Sequence, residues 1–182
     1  KDLPGLDIVN KTGLRETGEL FNMSTAVIML SAIKRQFGDT PDVFAQNLKI
    51  TSNLSDILRE KPVGRFIFFS SAAVYGEDIH NTNITEETPV CPTSYYGMMK
   101  FVSERLFWKA LRMHDGSTML AIRPATIYGP GDKGGTYGPI KFTSAAVNKE
   151  ELTLWGDGSE LREFVFIDDV VDIVCKLIFS PY

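Results

Sequence analysis

Two side chains four residues apart, Tyr96 and Lys100 in Tyr96-Gly-Met-Met-Lys100, could run acid–base chemistry together. On a helix, residues at i and i+4 share one face. A phenol titrates near 10 and is a poor proton carrier at neutral pH. A neighbouring ammonium favours the phenolate and lowers that value, which makes the phenol a usable general acid or base. Tyr and Lys at this spacing also occur on many exposed helix faces, so the pair gains meaning only from its setting.

The setting is a hydroxyl at a strand end. Arg65-Phe-Ile-Phe-Phe-Ser70 is short and apolar, as a buried strand should be, and Ser70 and Ser71 follow at its C-terminal end. Open parallel sheets bind ligands just beyond such ends. The next helix in sequence carries Tyr96, so Ser71, Tyr96 and Lys100 are expected to converge on one crevice. A serine that merely caps a turn is the plainer alternative for Ser71.

The elements that must position these groups can be read in order. Ala26-Val-Ile-Met-Leu30 is expected to be a fully buried strand. Thr40 is the N-cap and Pro41 the first residue of a helix that continues to Glu60, with Pro62 and Gly64 beyond its end. The strand before Ser71 comes next. A polar loop over 76–93 follows, longer than the usual connection of about 2–6 residues, which suggests a functional role. A helix from near Ser94 and a third buried strand, Thr118 to Ile122, complete an alternating pattern. That alternation argues for a parallel sheet with helices on its faces.

After Arg123 the texture changes. Tyr128 to Gly138 holds five glycines and one proline and reads as a loop. A helix around Ile140 to Asn148 is expected next. Two short strands follow, near Leu152 to Trp155 and Glu163 to Ile167. Asp168 or Asp169 should cap a last helix through Val171, Val174 and Ile178. The segment before Asn22 has no clear assignment.

Composition narrows the class. The 182 residues are 43% hydrophobic, enough for a full-sized core, and the net charge is -4 with acid and base intermixed. Nothing in that balance suggests a nucleic-acid surface or a polybasic membrane patch. No apolar run approaches the roughly 18 residues of a bilayer span. Cys91 and Cys175 form neither a disulfide framework nor a metal-ligand spacing, and are expected to be structural thiols in a reducing, cytoplasmic setting. No metal site is expected. The chain begins at Lys1 without an initiator methionine and stops at Tyr182 just after a helical pattern, so it is expected to be part of a longer protein.

Three blocks carry a resemblance. Phe66-Ile-Phe-Phe-Ser-Ser-Ala-Ala-Val-Tyr-Gly76, Pro92-Thr-Ser-Tyr-Tyr-Gly-Met-Met-Lys100 and Arg123-Pro-Ala-Thr-Ile-Tyr-Gly-Pro-Gly131 resemble successive blocks of the extended short-chain dehydrogenase/reductase family. A fourth, Gly156-Asp-Gly-Ser-Glu-Leu-Arg-Glu-Phe-Val-Phe-Ile-Asp-Asp-Val170, is similar to the NAD-dependent epimerase/dehydratase, or sugar-nucleotide, branch. The resemblance implies a Rossmann-like, doubly wound parallel α/β sheet whose first strands are missing here. It implies a partial NAD(P)-binding domain over 1–130 and a partial substrate-binding region over 131–182.

It also implies roles. Tyr96 would exchange a proton with the substrate oxygen as hydride moves to or from the nicotinamide. Lys100 would hold the nicotinamide ribose and lower the Tyr96 pKa, and Ser71 would hydrogen-bond the same substrate oxygen. Leu30, Ser31 and Ala32 look like the backbone that passes the cofactor, with Lys34 reaching its phosphates. Asn47 resembles an asparagine near the cofactor, and Pro124 one that approaches the nicotinamide amide. Thr126 lies at the substrate edge. Arg162 matches an arginine that pairs with a sugar-nucleotide diphosphate, a good partner for a planar guanidinium. The competing role for Arg162 is an ion pair with Glu160 or Glu163.

The departures matter as much. No glycine-rich dinucleotide turn precedes Ala26, although the family opens with one. Dehydratases carry an Asp-Glu pair after the catalytic hydroxyl, and Ala72 and Ala73 stand here, so dehydration is disfavoured. Many relatives carry Asn where Thr126 stands. The leading expectation is an epimerase that oxidises a sugar-nucleotide hydroxyl with NAD, lets the ketone turn its other face, and reduces it. A keto-sugar-nucleotide reductase using NADPH and a non-catalytic nucleotide-binding relative are the alternatives. A homodimer through the Tyr/Lys helix and the helix before it is expected.

Overall fold

The computed structural model describes residues 8, 11–77, 83–132, 138–153, 157, 159 and 161–180. The chain divides into two compact units, Lys1–Arg123 and Pro124–Tyr182.

The first unit holds helix α1 (Lys11–Gly18), strand β1 (Ala26–Met29), a 3-10 turn (Arg35–Phe37) and helix α2 (Pro41–Glu60). Strand β2 (Arg65–Phe69), a second 3-10 turn (Ala72–Tyr75), helix α3 (Tyr95–Leu111) and strand β3 (Thr118–Ile122) follow. The three strands lie in the order β1-β2-β3 and all pairs are parallel. Their C-terminal ends therefore sit at the same edge, which is where Ser71 lies.

The caps explain the helix limits. The Thr40 hydroxyl accepts from the Val43 amide at 3.3 Å, and Pro41 fills the first helical position, where no amide partner is needed. The Ser94 hydroxyl accepts from the Gly97 amide at 3.1 Å and starts α3. Between the helices and the sheet lies the core. Leu54, Ile57 and Leu58 of α2, Phe107, Ala110 and Leu111 of α3, and Phe66 and Phe68 of β2 are buried together. The Phe107 ring lies 4.9 Å from Phe66 and 5.1 Å from Phe68, both inclined rather than stacked flat. Leu14 of α1 joins this cluster, which gives the unassigned first segment a helix and a packing role.

β1 is not the fully buried strand that its apolar run suggests. Met29 enters the core, but Ala26 is exposed and Ile28 is 38% exposed. β1 is the edge of the three-stranded sheet, and only its Val27/Met29 side meets α2 and α3. β2 lies between two neighbours and buries Phe66, Ile67 and Phe68.

The second unit contains β4 (Thr126–Tyr128), α4 (Gly138–Asn148), β5 (Phe164–Phe166) and α5 (Ile167–Phe179), with β4 and β5 parallel. Tyr128, expected in a loop, ends a strand because its ring packs on Phe164 and Phe166. Gly129 follows at φ 151, and a Cβ there would stand 2.4 Å from Ile167 Cγ2. Residues 152 and 153 form no strand, and 154 and 155 lie outside the described residues, as do 78–82 and 133–137 of the two expected loops. α5 is not capped by Asp168 or Asp169. β5 runs directly into it, so Phe166 takes the cap position without a side-chain bond, and both aspartates sit in the first turn. There their charge still favours the helix N-terminus. No described helix is long and apolar enough to cross a membrane, and no described His/Cys/Asp/Glu cluster could hold a metal ion.

Candidate active site

β2 ends at Phe69, and the chain turns immediately. Ser70 points inward, with its hydroxyl buried and without a hydrogen-bond partner among the described residues. Ser71 is half-buried and caps the following 3-10 turn, its Oγ accepting from the Ala73 amide at 3.2 Å. The turn-capping role and a substrate role are compatible, because a hydroxyl that accepts through one lone pair still has a proton to donate.

Gly97 brings that turn and the Tyr96 helix together. A Cβ at this position would lie 2.4 Å from the Ala73 carbonyl oxygen and 3.1 Å from Pro92 Cβ. Only a residue without a side chain lets α3 approach the Ser71 turn this closely. The start of α3 is held from another side by Asp39, whose carboxylate accepts from the Tyr96 amide at 2.9 Å. A negative charge at a helix N-terminus also suits the helix dipole.

Lys100 sits one turn further on and is only 3% exposed. Its Nζ donates to the Phe69 carbonyl at 2.6 Å and lies 4.9 Å from the Phe68 ring centroid and 5.6 Å from the Tyr96 ring centroid. The lysine therefore ties the Tyr96 helix to the end of the strand that carries Ser71. Burial pulls its pKa down to about 8, and the Glu104 carboxylate opposes that fall. At neutral pH the ammonium still prevails.

The segment beyond β1 is braced rather than loose. Asn47, buried in α2, accepts from the Ile33 amide at 2.7 Å and donates to the Ile33 carbonyl at 3.1 Å. Leu30 and Ser31 beside it are exposed and Ala32 is half-buried, leaving this backbone accessible. Lys34 is exposed at the start of the first 3-10 turn. Arg35 forms an ion pair with Glu77.

Arg123 closes the first unit. Its Nε and Nη2 donate to the two oxygens of Glu104 at 2.9 and 2.7 Å, and its Nη1 donates to the Tyr75 hydroxyl at 2.9 Å. The bond to Glu104 holds the guanidinium pKa above its ordinary value. The remaining residues expected at the site belong to the second unit. Pro124 and Thr126 are half-buried, with Thr126 opposite Phe164 in the β4–β5 register, and Arg162 is exposed just before β5.

The structure thus brings Ser71, Tyr96 and Lys100 to one sheet edge and leaves Leu30, Ser31 and Ala32 at the end of the neighbouring strand. Asp39, Gly97 and Glu104 have structural parts that the sequence pattern did not assign. Glu104 had a visible signal, since it continues the four-residue spacing of Tyr96 and Lys100. Asp39 had none, because its partner lies 57 residues away.

A family model described as the NAD dependent epimerase/dehydratase family matches residues 2–181. The chain is 30% identical over 149 residues to the low-salt glycan biosynthesis protein Agl12 of Haloferax volcanii, covering 80% of this chain and 47% of that protein. It is 29% identical over 154 residues to the decarboxylating sterol-4-alpha-carboxylate 3-dehydrogenase ERG26 of Saccharomyces cerevisiae, covering 83% and 43%. Among solved structures, a UDP-glucose 4-epimerase of Thermotoga maritima with UDP-glucose matches at a TM-score of 0.82 and 25% identity. That match covers 96% of this chain and 58% of the epimerase. The chain spans about half the length of the relatives it matches. The likeness shows a Rossmann-like α/β fold.

Proposed function

The chain belongs to the NAD dependent epimerase/dehydratase family, and from that premise we propose that it carries the acid–base set of a sugar-nucleotide epimerase using NAD. The observation that carries this is the buried Lys100 ammonium, fixed beside the Tyr96 ring and bonded to the backbone of the Ser71 strand. A buried charge is expensive, and a fold retains one where it has work to do.

The residues present fit the ribose and nicotinamide end of the cofactor. Lys100 has three N–H donors, and its one hydrogen bond within the described residues goes to Phe69. Ribose hydroxyls are suitable acceptors for the others. The Leu30, Ser31 and Ala32 backbone, kept in place by Asn47 through Ile33, would pass the cofactor, with Lys34 at its phosphates and Pro124 at its amide. NAD when bound supplies the acceptor and donor of hydride.

Tyr96 takes the proton of the sugar hydroxyl as the carbon beneath it is oxidised, and returns it when the ketone is reduced on its other face. Lys100 favours the phenolate that this requires. Ser71 donates to the same substrate oxygen and holds it against Tyr96. Thr126 meets the sugar, and Arg162 pairs with the diphosphate, where a guanidinium fork matches phosphate oxygens. With Ala72 and Ala73 after Ser71, no carboxylate stands there to assist loss of water.

Two further parts of the proposal concern setting. Tyr95 and Met98, on α3, remain exposed and offer an apolar surface for a homodimer through α2 and α3. Cys91 and Cys175 are free and exposed rather than packed, which suits a reducing cytoplasm. A one-way oxidoreductase, an NADPH-dependent keto-sugar reductase among them, is the second reading. It is favoured by the likeness to the yeast sterol-carboxylate dehydrogenase, since the same three side chains can handle the proton of a single hydride transfer to or from a nicotinamide that is not reversed.

The test is sugar inversion by the protein as its gene encodes it, with NAD and a panel of UDP-, GDP- and dTDP-sugars deuterated at the carbon to be inverted. Inversion with the label retained on that carbon supports hydride transfer. One-way oxidation or reduction would favour the second reading. No NAD binding and no conversion of any sugar would overturn both.

A further inference from the structure

Lys100 has an electrostatic problem that its own position does not solve. Its surroundings on β2 are the Phe68 ring and the Phe69 carbonyl, neither of which carries a charge. Burial alone favours a neutral amine, and a neutral amine would give Tyr96 no help.

The opposing charge lies on the same helix. Tyr96, Lys100 and Glu104 recur every four residues, so α3 presents phenol, ammonium and carboxylate along one stripe. Glu104 is 7% exposed, and a buried carboxylate needs partners. Arg123, at the end of β3, meets both of its oxygens in a planar fork. The third arm of the fork reaches the Tyr75 hydroxyl, and the guanidinium lies 5.1 Å from the Tyr75 ring centroid. Tyr75 ends the 3-10 turn that begins just after Ser71. One connected set of side chains thus joins the strand-end turn, the catalytic helix and β3.

We propose that Glu104, gripped by Arg123, is the counter-charge that keeps the Lys100 ammonium ionised beside Tyr96, and so is a positioning residue for the proposed proton transfer. Its electrostatic part stands on the geometry, and its catalytic consequence rests on the function proposed above. Tyr96 and Glu104 face Lys100 from its own helix, and Arg123 of β3 and Tyr75 of the turn are joined to it through Glu104. The two charges act in opposite senses. Glu104 favours the ammonium, and Arg123 opposes it while holding Glu104 in place.

That opposition supplies the test. Lysine labelled with 13C at Cε is incorporated into the protein as its gene encodes it, and the Lys100 resonance is assigned by its loss in Lys100→Arg. The resonance is then followed against pH without cofactor or sugar. In Glu104→Gln the shape of the acceptor remains but its charge is gone, and the guanidinium is unbalanced. The Lys100 midpoint should fall from about 8, with the ionisation equilibrium changing roughly tenfold, or about one pH unit. In Arg123→Gln the opposing cation is gone, and the midpoint should rise.

Both variants break the same fork, so a purely structural role would move the two midpoints together or leave both in place. Either of those results overturns the proposal. Should Glu104→Gln fail to fold, the rise in Arg123→Gln decides alone, and an unchanged or lowered midpoint there sinks the idea. The alkaline limb of kcat against pH should shift in the same opposed directions. Because the titration needs no turnover, a wild-type protein without activity would overturn the functional reading and still leave the two midpoints to judge Glu104.

Discussion

The two units of this chain invest their apolar residues differently. In the first, two helices and a central strand bury Phe66, Phe68, Phe107, Leu58 and Val63 almost completely. In the second, Ala145 and Val170 are the buried apolar side chains among the described residues, while Val147, Leu161 and Phe179 stand largely exposed. The proposed acid–base residues sit on the well-packed unit, where each is fixed by a backbone contact: Ser71 at Ala73, Tyr96 at Asp39, Lys100 at Phe69. Arg162 and Thr126, proposed for the sugar nucleotide, sit on the other. Chemistry needs sub-ångström placement and so belongs on a rigid scaffold, whereas recognition tolerates a region with less burial of its own.

That contrast can be broken by mutation. Phe107→Ala should cost about 3–5 kcal/mol of stability, because the ring fills the space between Phe66 and Phe68 and leaves a cavity that the sheet cannot close. Denaturant unfolding measures it, and a loss below about 1 kcal/mol would mean that the first unit is not held by this core.

A pH series sharpens the contrast from inside the first unit. The Lys100 pKa is about 8 when folded against 10.5 when exposed. Between those values the unfolded chain binds more protons than the folded one, so stability rises with pH. The burial penalty is fully present below pH 8 and gone above about 10.5. Relative to Lys100→Met, the wild type should gain roughly 3 kcal/mol across that window. Parallel curves for the two proteins would contradict a buried ammonium.

Gly97→Ala comes next in size. The new methyl must push the Ala73 carbonyl away, which should cost about 1–3 kcal/mol and lower kcat by more than it alters KM. An unchanged kcat would separate the Ser71 turn from the reaction. The smallest effect is expected at Val170→Ala in the second unit, about 1 kcal/mol or less, because most of its neighbours on α5 are already in water. Amide exchange should show the same ordering, with β2 and α3 protected longer than α5.

Much of the first unit was legible because its signals are local. Thr40-Pro41 and Ser94 mark helix starts with chemistry that acts within four residues, and the Arg65–Ser70 run is bounded on both sides. The exposure of Ile28 was not legible, since a strand does not record which of its faces has a neighbour. The cap of α5 was missed because an aspartate near a helix start is a familiar signal, while a strand running straight into a helix leaves none. In the site, the Ser71, Tyr96 and Lys100 spacing was readable, but the contacts that hold it were not. Asp39 reaches Tyr96 across 57 residues, and Arg123 reaches Glu104 across 19. Such pairs are set by how strands and helices stack, which no short window of sequence contains.

The proposed function turns on Tyr96 moving the proton. The most direct test is a single turnover of the protein as its gene encodes it, with NAD and an accepted nucleotide sugar, comparing wild type with Tyr96→Phe. The two rings have the same packing, so unfolding midpoints should match. Hydride transfer should slow by about a hundredfold to ten-thousandfold in the variant, while sugar binding is retained. Equal rates would contradict it and place the acid–base role elsewhere.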